Sequence, residues 1–364
     1  MAPASRQPFS PISRLRPGGT VSAVRPSEAG RPVRCFGEGC VDIILPVAGL
    51  GSRLRPQTWT KPKPLVSVAG RPMLAHVIDR VMPLNPDRLI FITGFLGDQI
   101  EEWARRECSV PSEFVVQPEM KGQTDAIVRT RHLGSEDALI LFPDMLFEAD
   151  FTTLPGIDAD AVMFTKEIED PSALGIAVVE DGRIVKLVEK PKDLISRLAV
   201  IGIYYIRSMP ALYEAIDEQM ARGISLKNEY FIADAIQLMI DAGAKVVPAM
   251  VTEWEDCGSI ENLLGTNRFL LDREPPAVRT VPGSVVVQPS HVDPTAVLEG
   301  AVVGPYASVG AHVTIRRAVV RDAIVEDGAT VEDTVVAHAV VGRRAVVRGR
   351  AHALNVGDDS AVRL

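Results

Sequence analysis

Beyond Pro282 the sequence repeats at a period too short for an ordinary domain. Apolar Val303, Val309 and Ile315 stand six apart, and Ile315, Val331 and Val347 sixteen apart. Between these anchors Val320, Val325, Val336 and Val341 continue at five- and six-residue steps, with Gly304, Gly310, Gly328 and Gly342 beside or near them. So short a repeat specifies a solenoid, because each unit buries its apolar face only against the next. Three short sides per turn make a triangular parallel β-helix, with Val and Ile stacked inward as ladders. A β-sandwich is the competing arrangement, but its strands need turn signals about every 8 to 12 residues. His312 and His338 fall at turns of the repeat and read as surface residues. The segment 283–364 is therefore expected to supply a self-capping core and a surface for contact between subunits, without chemistry of its own.

The chain before the repeat follows another rule. From Val41, short apolar runs alternate with helical segments, the pattern of a mostly parallel sheet covered by helices on both faces. Strands are expected at Val41 to Leu45, Arg88 to Thr93, Glu113 to Val116 and Ala138 to Phe142. Helices are expected between them, at Met73 to Met82, Gly97 to Arg106 and Asp125 to His132. Further strands follow at Ala161 to Thr165, Gly175 to Val179 and Ile184 to Val188, the last two joined by Asp181-Gly182, a hairpin dipeptide. Helices Met209 to Ala221 and Glu229 to Ala242 and a strand Val246 to Met250 complete a doubly wound mixed sheet. Gly243 stands where a helix C-terminus favours glycine. The organisation expected is a doubly wound α/β domain over 40–272, a linker over 273–282 and the β-helix. Residues 1–39 carry Arg6, Arg14, Arg16 and Arg25 ahead of the first acid, Glu28. They lack the apolar core of a secretory signal and read as a disordered leader, with a transit peptide or an upstream start codon as the alternatives.

Charge narrows the choice of partner. A net charge of −8 argues against a nucleic-acid partner, because polyanion binders present a basic face. No run approaches the roughly 20 apolar residues of a membrane span. Cys35, Cys40, Cys108 and Cys257 are too few and too scattered for a disulfide framework or a zinc site, and read as reduced thiols in a cytoplasmic protein.

The most informative stretch follows the first strand: LPVAGLGSRLRPQTWTKPKPL, Leu45 to Leu65. Ala48, Gly49 and Gly51 have little or no side chain, so backbone amides of this loop can close on a triphosphate, while Arg53 and Lys63 add positive charge. It is no Walker A loop, and the third glycine of a dinucleotide fingerprint is replaced by Leu54. Asp144 follows the apolar run ALILFP, at the strand end where open α/β sheets bind ligands. A second acid, Asp256, lies in WEDCGS. Two carboxylates from distant segments can share one hard cation whose remaining positions go to substrate phosphates.

The joint pattern G-x-G-S-R-L-x-P followed by P-K-x-L resembles the signature of the sugar-1-phosphate nucleotidyltransferases, a family that includes glucose-1-phosphate thymidylyltransferases and mannose-1-phosphate guanylyltransferases. The likeness runs from Val41 to roughly Leu271. It extends into the tail, since many members carry a left-handed β-helix of hexapeptide-like repeats. The resemblance implies a Rossmann-like nucleotide-diphospho-sugar transferase fold and transfer of a nucleotidyl group from a nucleoside triphosphate to a hexose 1-phosphate. It assigns Arg53 and Lys63 to catalysis on the triphosphate, and Ala48, Gly49, Gly51, Ser52, Gln117 and Gly122 to nucleotide binding. Gly175, Glu189, Lys190 and Gly202 fall to the sugar phosphate, and Asp144 and Asp256 to Mg²⁺. A homo-oligomer joined through the β-helix follows from the same likeness.

The departures from the family pattern are informative. Ala48 stands where many members have glycine and Ser52 where threonine is usual, both conservative changes. Met145 replaces a common asparagine and Leu174 a frequent tyrosine, and these two border the sugar positions. The Gln117 to Gly122 spacing leans towards dTTP or UTP, with GTP as a third candidate, so thymidylyl, uridylyl and guanylyl transfer stay open. A catalytically silent regulatory relative typically loses the loop lysine or a metal aspartate, yet Arg53, Lys63, Asp144 and Asp256 are all present. An added acyltransferase in the β-helix would need a longer helix and a dedicated histidine.

Overall fold

The computed structural model describes residues 41–172, 174–273 and 279–349. The expected leader over 1–39, Cys35, Cys40 and residues 350–364 of the expected β-helix lie outside them, as does the middle of the expected linker. The chain opens with strand β1 (Asp42–Pro46), the two-residue strands β2 (Ser67–Val68) and β3 (Arg71–Pro72), helix α1 (Met73–Val81), β4 (Leu89–Thr93), α2 (Gly97–Glu107) and β5 (Ser112–Val116). Next come α3 (Gln123–Val128), β6 (Ala138–Leu141), β7 (Met145–Glu148), β8 (Ala161–Glu167), β9 (Gly175–Glu180), β10 (Arg183–Glu189) and β11 (Leu198–Ile206). The last elements before the repeat are α4 (Met209–Ala221), α5 (Ile232–Asp241), β12 (Val246–Met250), β13 (Glu253–Asp256) and α6 (Ile260–Arg273).

The main sheet runs β10-β9-β11-β6-β1-β4-β5, with β8 pairing β11 and β12. Strands β6, β1, β4 and β5 are mutually parallel, and β11 enters antiparallel to β6. Alternate residues of β1 explain why its run is unbroken: Ile43 and Leu45 pack into the layer under α1 and α2, and Ile44 into the layer under α4 and α5. A strand covered on both faces has no solvent side to carry polar residues. Each fully buried Ile or Leu adds about 2 kcal/mol of transfer free energy.

Two helices differ from expectation. Helix α3 stops at Val128 because the Thr130 hydroxyl donates to the carbonyl of Ile127 at 2.7 Å, and a 3-10 turn follows at Arg131–Leu133. Helix α5 starts at Ile232 rather than Glu229, since the backbone of Tyr230 is taken up by bonds to Lys121 and Gln123.

The tail is the expected parallel β-helix. Ile315 registers with Val331 and Val331 with Val347; Val303 registers with Val320 and Val320 with Val336; Val309 registers with Val325 and Val325 with Val341. All these residues except Val347 are buried in one apolar core. His312 and His338 occupy corners with left-handed backbone, φ 57° and 54°.

Helix α6 fastens the β-helix to the sheet lobe. Asn267, fully buried, accepts from Ala69 N (2.9 Å) and Ser308 Oγ (2.6 Å) and donates to Tyr306 O (3.1 Å). Arg268 grips Asp322 with two bonds of 2.6 and 2.7 Å. His338 meets Asp322 at 2.9 Å through Nδ1 and Glu261 at 2.7 Å through Nε2, with Arg268 Nη2 3.1 Å from Nδ1. The two carboxylates hold His338 above its ordinary value of 6.5, hydrogen bonding to Asp322 being the larger cause. A raised folded pKa gives stabilisation that is complete below the ordinary value and lost as pH climbs through the raised one. Melting temperature should therefore fall more for the wild type than for His338→Gln between about pH 6 and pH 8.5. Parallel melting curves for the two proteins would exclude this linkage.

Candidate active site

Three loops converge at the C-terminal ends of the parallel strands. The loop after β1 carries the glycines and Lys63, the turn after β6 carries Asp144, and Gln117 follows β5. Gly51 sits at φ 61°, a left-handed conformation that costs a residue with Cβ. A methyl there would also come within 2.9 Å of Lys63 Cβ. The hydroxyl of Thr58 donates to the Gly51 carbonyl at 2.8 Å and folds the loop back on itself. Lys63, between Pro62 and Pro64, sends Nζ to Asp144 Oδ2 at 2.9 Å.

The second acid arrives from far along the chain. Strands β7 and β13 pair antiparallel with Asp256 opposite Met145, and Cys257 N donates to the Asp144 carbonyl at 2.9 Å. Asp256 is oriented by Gly258 N on Oδ1 (2.9 Å) and Asn262 Nδ2 on Oδ2 (2.6 Å). Arg53 belongs to this side: a methyl on Gly258 would meet Arg53 Nη2 at 2.8 Å and Asp256 Oδ1 at 2.9 Å. Among the described residues no three or more His, Cys, Asp and Glu side chains cluster to hold a metal by themselves. Asp144 and Asp256 line one cavity together, and carboxylate oxygens are the donor type that a hard divalent cation takes alongside phosphate oxygens.

Two cavities meet at Asp144. The first, about 390 Å³, is lined by Ala48, Gly49, Lys63, Gln117, Gly122 and Asp144. Gly51 and Ser52 line neither cavity and shape the loop from behind. Gln117 is buried, and its Nε2 donates to the Gly122 carbonyl (3.0 Å) and to Asp125 Oδ2 (2.9 Å). Arg129 holds Asp125 in turn, with Nη2 3.0 Å from Oδ1. A backbone carbonyl only accepts, so the amide must turn its NH₂ towards Gly122 and leave Oε1 as the acceptor.

The second cavity, about 450 Å³, is lined by Arg53, Asp144, Asp256, Gly175, Glu189 and Lys190, with Gly202 on its wall. A Cβ on Gly175 would stand 2.8 Å from Glu189 Oε2, so a side chain there would push that carboxylate aside. Burial lifts the Glu189 carboxyl above its ordinary value against the pull of Lys190, whose Nζ is 3.4 Å from Oε1. That same Nζ lies 4.3 Å from the centre of the Phe231 ring. Met145 and Leu174 both line this cavity, and Met145 Sδ accepts from Trp254 Nε1 at 3.2 Å. The sequence reading missed Asp125, Asn262, Phe231 and Trp254. Two of these left a trace: Trp254 opens the WEDCGS segment, and Asp125 stands four residues before Arg129 on the expected helix.

Comparison with known proteins identifies the family and the fold. A family model described as nucleotidyl transferase matches residues 41–273. A glucose-1-phosphate thymidylyltransferase from Streptomyces antibioticus is 28% identical over 352 residues, covering 87% of this chain and 97% of its own length. The bifunctional protein GlmU of Methanocaldococcus jannaschii is 29% identical over 234 residues, which is 64% of this chain and 55% of that protein, so this chain spans about half of that relative. In structure, a UDP-glucose pyrophosphorylase complexed with UDP-glucose superposes with a TM-score of 0.58 at 23% identity, covering 65% of this chain and all of that one, which is a likeness of fold. The family match spans the sheet lobe from β1 to the end of α6, the same stretch that supplies Lys63, Asp144 and Asp256, and the chain belongs to the nucleotidyl transferase family.

Proposed function

We propose that the chain condenses a nucleoside triphosphate with a hexose 1-phosphate, yielding a nucleotide-sugar and pyrophosphate. The observation that carries this reading is the β7–β13 pairing, which sets Asp256 beside Asp144 and Lys63 where the two cavities join. The triphosphate would lie in the first cavity and the sugar phosphate in the second. A phosphate oxygen of the sugar attacks the α-phosphorus, and the bond from α-phosphorus to the bridging oxygen breaks as pyrophosphate leaves. The attacker is already an anion, so no general base is required. The obstacle is charge repulsion, and alignment and neutralisation remove it.

Lys63 would neutralise charge on the triphosphate and Lys190 charge on the attacking phosphate. Arg53, on the Asp256 side, would steady both as charge shifts. Glu189 would accept hydrogen bonds from sugar hydroxyls. Asp144 and Asp256 would hold Mg²⁺, which when bound neutralises phosphate charge. Exposed Val285 and Val335, in register on one face of the β-helix with Val302 and Val319, support a homo-oligomer through that face. Light scattering on the purified chain reads the subunit count. The free thiols Cys108 and Cys257 are in keeping with a reducing, cytoplasmic setting.

Gln117 lines the first cavity with its Nε2 engaged by Gly122 and Asp125, and the remaining Oε1 acceptor supports a base choice. Uracil and thymine present an imino N–H at N3 and guanine one at N1, whereas cytosine and adenine present bare ring nitrogens there. Pyrimidine is favoured among the three by the length of the thymidylyltransferase match. Purified protein incubated with Mg²⁺ and a grid of nucleoside triphosphates against hexose 1-phosphates, scored by pyrophosphate, should turn over dTTP or UTP well ahead of CTP and ATP. Equal use of CTP would remove Gln117 as the reader, and no pyrophosphate from any pair would remove the function.

A further inference from the structure

The segment that carries Lys63 lies along the β-helix and is tied to it on both sides of the lysine. Gln57 Nε2 donates to the Val340 carbonyl at 3.2 Å, and Arg343 Nη2 to the Thr60 carbonyl at 3.1 Å. The Lys61 ammonium pairs with the Glu326 carboxylate, and both side chains are nearly buried. Glu326 Oε1 also accepts from the backbone N–H of Ser67 at 3.1 Å. Further on, Ala69 N donates to the buried Asn267, which Ser308 of the β-helix holds in turn. Glu326 therefore touches the loop two residues before Lys63 and four residues after it.

A buried ion pair is a poor way to gain stability, because desolvation consumes most of its Coulomb energy, but it fixes geometry well. What lies between Lys61 and Lys63 is a proline, and another follows the lysine, so the backbone here has few torsions with which to absorb a shift. Lys63 Cβ in turn abuts Gly51, and its Nζ reaches Asp144. A displacement at Glu326 would thus be transmitted to the ammonium at the junction of the two cavities.

We infer that Glu326 of the β-helix is a positioning residue for Lys63, acting through its pair with Lys61, so that the repeat domain helps to set the geometry of phosphate neutralisation in the sheet lobe. This inference rests on the functional reading above. Glu326→Gln should lower kcat about tenfold while leaving KM for both substrates within about twofold, the signature of lost alignment in the transition state. An amine-reactive acetylating reagent, read by mass spectrometry on the folded protein, should label Lys63 several times faster in this variant, with Lys186 and Lys245 unchanged. Glu332→Gln, which removes a carboxylate from the same β-helix away from the loop, should change neither readout.

A folded Glu326→Gln protein with wild-type kcat and a protected Lys63 overturns the inference, as does a lowered melting temperature with kcat unchanged. Should Glu326→Gln not fold, Arg343→Ala, which cuts the tie to Thr60, decides on the same two readouts. If the wild type releases no pyrophosphate with any substrate pair, the functional reading falls, and the labelling rates alone decide whether the β-helix holds the lysine in place.

Discussion

Lys63→Ala is expected to leave a folded protein whose pyrophosphate release is about a thousandfold slower than wild type. The lysine contributes little to the core: its Nζ bonds a partly exposed carboxylate, and water can take its place on Asp144. What disappears is a cation fixed in a position that needs no reorganisation during reaction. The deficit should therefore appear in kcat, with melting behaviour near normal. Turnover within a few-fold of wild type, measured alongside a thermal melt, would dismiss the lysine from the chemistry.

Asp256→Asn should be nearly as damaging, for a different reason. Both carboxylate oxygens already take a donor, Gly258 N and Asn262 Nδ2. An amide offers one acceptor and one NH₂ group, so it keeps both contacts only if Asn262 flips, and it brings no negative charge to a divalent ion. The remaining acid, Asp144, would hold a divalent ion alone. Turnover is expected to drop about a hundredfold, with a higher Mg²⁺ concentration needed for half-maximal rate. A magnesium titration that superposes on the wild-type curve after scaling for kcat would place the ion elsewhere.

Periodicity made β1, β4, α1, α4 and the three ladders of the β-helix legible, because each is stabilised by a pattern repeated within its own residues. Strands β7 and β13 left no such mark. Each has four residues, and their stability comes from pairing with one another across a span in which Trp254 and Met145 stand 109 positions apart. Motif spacing placed Asp144 and Asp256 in the sequence, but the pairing that unites them is a tertiary fact. Strand β11 escaped for a related reason: its register shifts between Val200 and Tyr204, around Gly202, and breaks the alternation. Helix α6 went unassigned although Leu263, Leu264, Leu270 and Leu271 mark a buried face. Asn267 at its centre illustrates the limit, since nothing in composition distinguishes a fully buried asparagine from a surface one. The roles of Arg53 and Lys63 looked alike in sequence, and the fold separates them onto different cavities.

The β7–β13 ribbon also orders events in time. A growing chain emerges from the ribosome at about 5 to 20 residues per second, amino end first. The sheet strands β1, β4, β5 and β6 can associate while the second acid has yet to be made. Under the proposed function, affinity for a divalent ion would thus be a late acquisition of the nascent protein, and a shortened product ending before Glu253 would hold most of a folded sheet with one of the two proposed metal ligands.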